Sequence, residues 1–191
     1  MTKNILLAGV GGQGILTIAA IIDHAAMQQG LFIKQAEVHG MSQRGGAVQS
    51  HLRISDNEIF SDLTPLGQAD LILSLEPMEA LRYLPWLSKE GAVVTAIQPF
   101  INIPDYPEKE LLLEEIRRQC PRHRFVEADR LALEAGSPKA VNVVMAGAAA
   151  QYIGISTEQL RASIRSLFLP RGEAIAELND KAFTLGQNSI Y

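Results

Sequence analysis

Three glycines near the N-terminus have the spacing of a phosphate-binding turn. Gly9, Gly11 and Gly14 form a G-x-G-x-x-G pattern between a short apolar run and a segment with helical apolar periodicity. At such a turn, unpaired backbone amides at the start of a helix carry partial positive charge and bind anions. The residues of this first glycine loop that could hold a cofactor or a partner are Gly9, Gly11, Gly12, Gln13 and Gly14. The spacing fits an anion site, a site for a partner's backbone, or simple close packing of a strand and a helix.

A second glycine-rich segment, the second glycine loop, covers residues 37–46 and has the sequence EVHGMSQRGG. Arg44 provides a planar, permanently charged donor that suits a carboxylate or a phosphate. His39, Ser42 and Gln43 add hydrogen-bonding groups in the same segment. The segment therefore favours recognition of an anion or of a partner. The candidate binding residues are Glu37, His39, Gly40, Met41, Ser42, Gln43, Arg44, Gly45 and Gly46. His39 is also a weak candidate for a general acid or base, because the ordinary pKa of a histidine lies near neutrality.

The first glycine loop also leaves a nucleotide site of the Rossmann type open. Such a site normally has an acidic residue near the end of the second strand, which binds the ribose hydroxyls. Glu37 is the only candidate for that role. A stand-alone oxidoreductase that binds a nicotinamide or a flavin, and a non-catalytic nucleotide-binding module, are therefore alternatives to a partner-binding role.

Composition argues against several classes of site. Cys120 is the only cysteine, so this chain cannot supply the thiolates of an iron-sulfur cluster or of a four-cysteine zinc site. The four histidines lack metal-binding spacing, and we predict no metal site. A net charge of -4 gives no electrostatic footprint for nucleic acid, and no apolar run approaches the length of a membrane span. Residues 1–4 lead into a short apolar run without the pattern of a secretion signal, so we expect a cytoplasmic protein.

Apolar periodicity predicts a chain in which strands and helices alternate. Strands are expected at residues 5–10, 31–38, 47–54, 69–75, 92–97 and 125–128. Helices are expected from residue 12 to a stop at residue 30, at 78–87, 108–119 and 141–153, from residue 156, and at 173–183. Residues 98–107 contain three prolines and are expected to form a loop.

The order of these elements predicts an α/β fold that is Rossmann-like, with a mostly parallel sheet, helices on both faces and a helical C-terminal part. The first two strands are expected to be parallel and joined by a right-handed crossover. A hairpin between residues 47–54 and 58–60 is expected to make one edge of the sheet antiparallel. Because no internal repeat or flexible linker is present, residues 1–191 are predicted to form one domain.

Taken together, the two glycine loops resemble the gamma-domain signature of the 2-oxoacid:ferredoxin oxidoreductases. The resemblance rests on GVGGQG at residues 9–14, followed at the expected distance by residues 37–46. The motif HGMSQRGG at residues 39–46 is most similar to the indolepyruvate branch of this family. Weaker similarity continues through residues 142–150 and 179–186, so the resemblance covers nearly the whole chain.

The resemblance implies a small subunit that is inactive alone and completes a larger enzyme. That enzyme oxidatively decarboxylates an aryl 2-oxoacid such as indolepyruvate and produces an acyl-coenzyme A and reduced ferredoxin. Thiamine diphosphate and iron-sulfur clusters are implied to belong to the large partner subunit, and no cofactor is assigned to this chain alone. The two glycine loops are implied to face that partner, with coenzyme A or substrate nearby. An isolated subunit is expected to be able to form a homodimer through the same exposed surface.

Overall fold

Six β-strands form one mixed sheet in the computed structural model, which describes residues 1–40 and 45–189. The strands are β1 (Thr2–Val10), β2 (Phe32–His39), β3 (Ala47–Ser55), β4 (Ala69–Ser74), β5 (Leu87–Ala96) and β6 (His123–Val126). Their order across the sheet is β2-β3-β1-β4-β5-β6. Strands β1, β4, β5 and β6 pair in parallel, whereas β3 is antiparallel to both of its neighbours.

Seven α-helices accompany these strands in the described part of the chain. They are α1 (Ile15–Gln28), α2 (Pro77–Arg82), α3 (Lys109–Gln119), α4 (Ala128–Ala135), α5 (Val141–Ile153), α6 (Thr157–Phe168) and α7 (Glu173–Gln187). Short 3-10 turns occur at Leu84–Trp86, Pro138–Ala140 and Leu169–Arg171. The predicted helix from residue 156 is α6, and the Ser156 side chain caps it by accepting a hydrogen bond from the Gln159 amide at 3.3 Å.

Alternate residues of β1 face two separate cores. Ile5 and Leu7 pack with α1 and the C-terminal helices, while Leu6 and Ala8 pack with α2 and α3. All four side chains are fully buried. A strand covered on both faces needs a continuous apolar run, which is what the N-terminal sequence contains. The predicted α/β fold class, with helices on both faces and a helical C-terminal part, is confirmed.

The strand that follows α1 is parallel to β1, as predicted, but is not its neighbour in the sheet. β2 runs in the same direction as β1, but β3 lies between them and pairs with both. The predicted hairpin at residues 47–54 and 58–60 is wrong, because residues 58–60 are not part of a strand. The antiparallel edge instead consists of β2 and β3, since the short connection between them makes them hairpin neighbours.

Two smaller predictions also differ from the structure. The predicted strand at residues 125–128 ends at Val126, and Ala128 begins α4, a helix that was not predicted. The predicted helix at residues 78–87 ends at Arg82 and gives way to a 3-10 turn. Pro85 lies in that turn, and its missing N–H prevents a regular α-helix from continuing.

The last three helices pack closely against the sheet and against one another. α5 is apolar on nearly all sides and crosses α7 at two glycines, Gly147 and Gly186. A Cβ on Gly147 would lie 2.1 Å from the Phe183 carbonyl oxygen, and one on Gly186 would lie 1.9 Å from that of Val144. The two helix backbones therefore touch directly, and a side chain at either glycine would separate them.

Within the described residues, no helix is both long and apolar enough to cross a membrane.

Candidate functional site

The first glycine loop lies at the point where the chain changes sides of the sheet. α1 follows β1 and packs on one face, whereas α2 follows β4 and packs on the other. β1 and β4 are parallel neighbours, so a crevice opens between their carboxyl ends. In open α/β sheets this switch point is the usual place for a ligand or a partner. The structure therefore places the first glycine loop where folds of this type usually bind a ligand.

Gln13 closes part of this crevice. Its Oε1 accepts a hydrogen bond from the Val10 amide at 2.7 Å, and its Nε2 donates to the Leu75 carbonyl at 3.2 Å. Gly9 makes room for the side chain, because a Cβ there would lie 2.8 Å from Gln13 Oε1. These two predicted site residues thus hold the loop in shape, and neither lines the neighbouring cleft.

The start of α1 has no side-chain cap. Gly14 is the N-cap residue, and the first turn of the helix contains no acidic side chain. Asn142, at the start of α5, donates through Nδ2 to the Gly14 carbonyl oxygen at 3.5 Å. Uncapped amides at a helix start favour an anion or an acceptor group supplied from outside.

The two glycine loops are joined by their backbones. The Gly11 amide donates to the Gly46 carbonyl at 2.8 Å, and the Gly45 amide lies 3.4 Å from the Gly11 carbonyl oxygen. Sequence reasoning named both segments, and the structure brings them together into one surface. Met41, Ser42, Gln43 and Arg44, which carry most of the predicted recognition chemistry, lie outside the described residues.

An open cleft of about 360 Å³ lies between the first glycine loop, α1 and β2. Its lining includes Gly11, Gly12, Gly14, Leu16, Glu37 and His39. Glu37 and His39 alternate along β2 and face the same side of the sheet, and both are exposed. His39 Nδ1 lies 3.1 Å from the Gly40 carbonyl oxygen, and Gly40 itself does not line the cleft.

This arrangement differs from a dinucleotide site in one respect. In the Rossmann order the acidic residue lies on a strand adjacent to the first, next to the glycine turn. Here β3 separates β2 from β1, so Glu37 lies one strand further away. The predicted ribose-binding role of Glu37 therefore lacks the strand order on which it depends.

A third segment contributes to the site, and sequence reasoning did not assign it a role. Residues 98–107, the proline loop, form no helix or strand, as predicted. Asn102 in this loop donates through Nδ2 to the Gly45 carbonyl at 2.7 Å. Tyr106 donates its hydroxyl to Oε2 of Glu76, which is fully buried just after β4. The sequence signal for the contact between Tyr106 and Glu76 is that Glu76, an acidic residue, comes directly after a buried strand.

Burial governs the titration of the groups under the proline loop. It raises the pKa of Glu79, which is 2% exposed, although the Arg82 guanidinium opposes this with Nε 3.1 Å from both carboxylate oxygens. Burial and the bond to Glu76 together raise the pKa of Tyr106, so its phenol keeps its proton at neutral pH. Within residues 1–40 and 45–189, no three His, Cys, Asp or Glu side chains group closely enough to hold a metal ion.

Comparison with known proteins gives a consistent result. The chain is 40% identical to the indolepyruvate oxidoreductase subunit IorB of Archaeoglobus fulgidus, covering 98% of this chain and 95% of that protein. It is 25% identical to a keto/oxoacid ferredoxin oxidoreductase gamma subunit from Geobacter sulfurreducens, with a TM-score of 0.69 and coverage of 97% and 96%.

A larger protein contains the same fold as one part. In the 2-oxoglutarate:ferredoxin oxidoreductase of Magnetococcus marinus, solved with 2-oxoglutarate, coenzyme A and succinyl-CoA bound, the match has a TM-score of 0.75 at 20% identity. It covers 97% of this chain but 30% of that one. The model of the pyruvate ferredoxin/flavodoxin oxidoreductase family matches residues 4–189. The predicted family resemblance is confirmed, and the chain belongs to the pyruvate ferredoxin/flavodoxin oxidoreductase family.

Proposed function

We propose that this protein is the small subunit of an indolepyruvate-type 2-oxoacid:ferredoxin oxidoreductase. The identity of 40% to an indolepyruvate oxidoreductase subunit extends over nearly the full length of both chains and supports this assignment. The complex would oxidatively decarboxylate an aryl 2-oxoacid, form an acyl-coenzyme A and reduce ferredoxin. This chain has a single cysteine, so the iron-sulfur clusters of such an enzyme must be held by another chain.

The observation that carries the proposal is that backbone hydrogen bonds join the two glycine loops at the switch point of the sheet. The proline loop extends that surface, because Asn102 holds it to Gly45. Beside Asn102, Ile101 and Ile103 are 74% and 39% exposed. Apolar side chains next to a polar backbone frame suit a surface that a second protein covers. We assign this surface to the large, thiamine-diphosphate-bearing subunit.

Coenzyme A fits the cleft in part. The uncapped amides of α1 suit phosphate oxygens, and the sequence of the second glycine loop includes Arg44, a further donor for a phosphate. Glu37 in the same cleft repels a phosphate, but it accepts hydrogen bonds from hydroxyl or amide groups. The phosphates would therefore lie at the α1 end and uncharged polar groups at the β2 end. Coenzyme A supplies the thiol that receives the acyl group.

Reconstitution with the native large subunit tests the catalytic part of the proposal. We expect indolepyruvate- and coenzyme A-dependent reduction of ferredoxin by the complex, and none by either chain alone. Arg44→Ala should lower this activity about tenfold or more, since a charged hydrogen bond is lost. Arg118→Ala, which alters an exposed ion pair with Glu115 on α3, is the matched control. Turnover by the lone chain, or tight stoichiometric binding of NAD, NADP, FAD or FMN to it, would contradict the proposal.

Association with the large subunit tests the assigned surface separately from turnover. Ile101→Ser should weaken binding of the large subunit about tenfold, because one large apolar side chain is no longer buried at the interface. Leu133→Ser on α4 is a suitable control, since Leu133 is 62% exposed and belongs to neither the glycine loops nor the proline loop. Equal loss of affinity in both variants would remove the proline loop from the interface.

A further inference from the structure

A groove of about 310 Å³ beside the first turn of α1 is lined by positively charged side chains and by no carboxylate among the described residues. Lys139, from the turn before α5, and Arg171, from the turn after α6, both line it. Both side chains are exposed, and neither forms an ion pair with any described residue. No carboxylate lies among the described residues that line the groove. Two uncompensated cations therefore face one cavity in a protein whose net charge is -4.

In a neighbouring groove, by contrast, the cations are accompanied by carboxylates. The groove between α6 and α7 is lined by Arg161, Arg165 and Lys181, but also by Glu177 and Asp180. Arg161 Nη1 lies 2.6 Å from Asp180 Oδ1, so its charge is already paired. Charges of one sign that share a cavity attract a ligand of the other sign. The groove at Lys139 and Arg171 has this property, and the groove between α6 and α7 does not.

The remaining walls supply hydrogen-bonding groups and an apolar surface. Thr17 on α1, together with Ser137 and Asn142, adds two hydroxyls and an amide to the lining. Phe168 also lines the groove, and the Arg171 guanidinium lies over its ring with 5.6 Å between the guanidinium carbon and the ring centroid. Stacking on an aromatic ring restricts an arginine while leaving its N–H groups free to donate.

We propose that this groove binds a phosphate monoester. The phosphate lies between Lys139 and Arg171, whose charged donors suit a dianion, and the hydroxyls of Thr17 and Ser137 bind its remaining oxygens. The ester group lies against the apolar wall at Phe168. A volume near the lower end of the range for ligand pockets limits the ester to a small one. The groove is separate from the cleft at Glu37 and connects to it through Asn142, which lines the groove and approaches Gly14.

Calorimetric titration of the purified full chain at low ionic strength tests the proposal with three probes: phenyl phosphate, inorganic phosphate and phenol. We expect phenyl phosphate to bind most tightly, inorganic phosphate more weakly and phenol not at all. Equal affinity for phenyl phosphate and inorganic phosphate would overturn the assignment to an ester. Failure of both phosphates to bind would overturn the site itself.

Substitutions of the lining residues test whether phenyl phosphate binds in this groove. Lys139→Gln and Arg171→Gln should each weaken phenyl phosphate binding at least about tenfold, because each removes a charged donor. Lys89→Gln, an exposed lysine on β5, should leave the affinity unchanged. Both groove residues are exposed, so circular dichroism should show the fold intact in every variant. Loss of binding in Arg44→Ala together with unchanged binding in Lys139→Gln would place the phosphate in the cleft and overturn the proposal.

Discussion

Gln13 and Leu75 are 62 residues apart in sequence, yet the side chain of Gln13 donates to the Leu75 carbonyl at 3.2 Å. The same side chain accepts from the Val10 amide, so it ties the end of β1 to the residue that follows β4. The crevice at the switch point is thus partly filled by the protein itself. In the proposed complex, the partner would therefore meet the rim formed by the joined loops, rather than a deep slot between the strands.

Gln13→Ala should lower the free energy of unfolding by about 1–3 kcal/mol, because two half-buried backbone groups lose their hydrogen-bond partner. A change of this size shifts the melting temperature by roughly 2–12 °C in a chain of this length. Urea unfolding monitored by circular dichroism measures it. Gln28→Ala, at an exposed position in α1, should have no comparable effect. If the two variants were equally stable, the bridge would contribute nothing.

Gly147→Ala and Gly186→Ala should each destabilise the protein by at least about 1–3 kcal/mol, since a methyl group would press on the backbone of the opposite helix. Both sites lie where α5 and α7 touch, so we expect the two effects to be far from additive in the double variant. Thermal and urea unfolding measure both quantities. Gly40→Ala is the control, because a Cβ there meets no atom of the described residues within 4 Å. A stable Gly186→Ala variant would mean that the two helices can separate at little cost.

Asp23→Asn should remove a pH dependence of stability. Burial raises the pKa of Asp23 from 3.8 to about 6, and its Oδ1 has no hydrogen-bond partner within the described chain. Between these pH values the unfolded chain ionises while the folded protein still holds the proton, so stability falls as pH rises and is then constant above about 6. The full shift corresponds to about 3 kcal/mol, and partial exposure reduces this to about 1–2 kcal/mol.

Paired unfolding curves at pH 4 and pH 7.5 measure this effect. We expect the asparagine variant to be more stable than the parent protein at pH 7.5 and nearly equal to it at pH 4. The comparison between the two proteins cancels the contribution of Glu79, whose pKa burial also raises. Asp105→Asn, at an exposed loop position, should show no such difference. A uniform shift at both pH values would mean that Asp23 does not titrate abnormally.

Tyr106→Phe should loosen the proline loop. The variant leaves the buried Glu76 carboxylate without the phenol donor, at a cost of about 1–3 kcal/mol. Amide hydrogen exchange should become faster at residues 98–107, because Tyr106 holds this segment to the end of β4. Tyr152→Phe is the control, since the Tyr152 hydroxyl makes no hydrogen bond to a described residue. Unchanged exchange in the loop would show that Asn102 and Gly45 hold it without Tyr106.

Local sequence signals predicted much of the fold. The helix at residues 141–153 has the predicted bounds, because an alanine-rich apolar run followed by a glycine defines both its start and its end. The buried strand before the first glycine loop was equally clear from a run of apolar residues. α4 was missed although Ala128, Leu131, Ala132 and Ala135 are buried at helical spacing, because the helix has only two turns and follows β6 directly.

The family and the two glycine loops were recognisable from the sequence by itself, since residue types and spacings within one segment carry that information. Only the tertiary structure decided that β3 lies between β2 and β1, and that Gly45, Asn102 and Gly11 meet. Strand order and such contacts depend on which distant segments pair, and pairing is determined by the burial of whole strand faces. No local window of sequence contains that information.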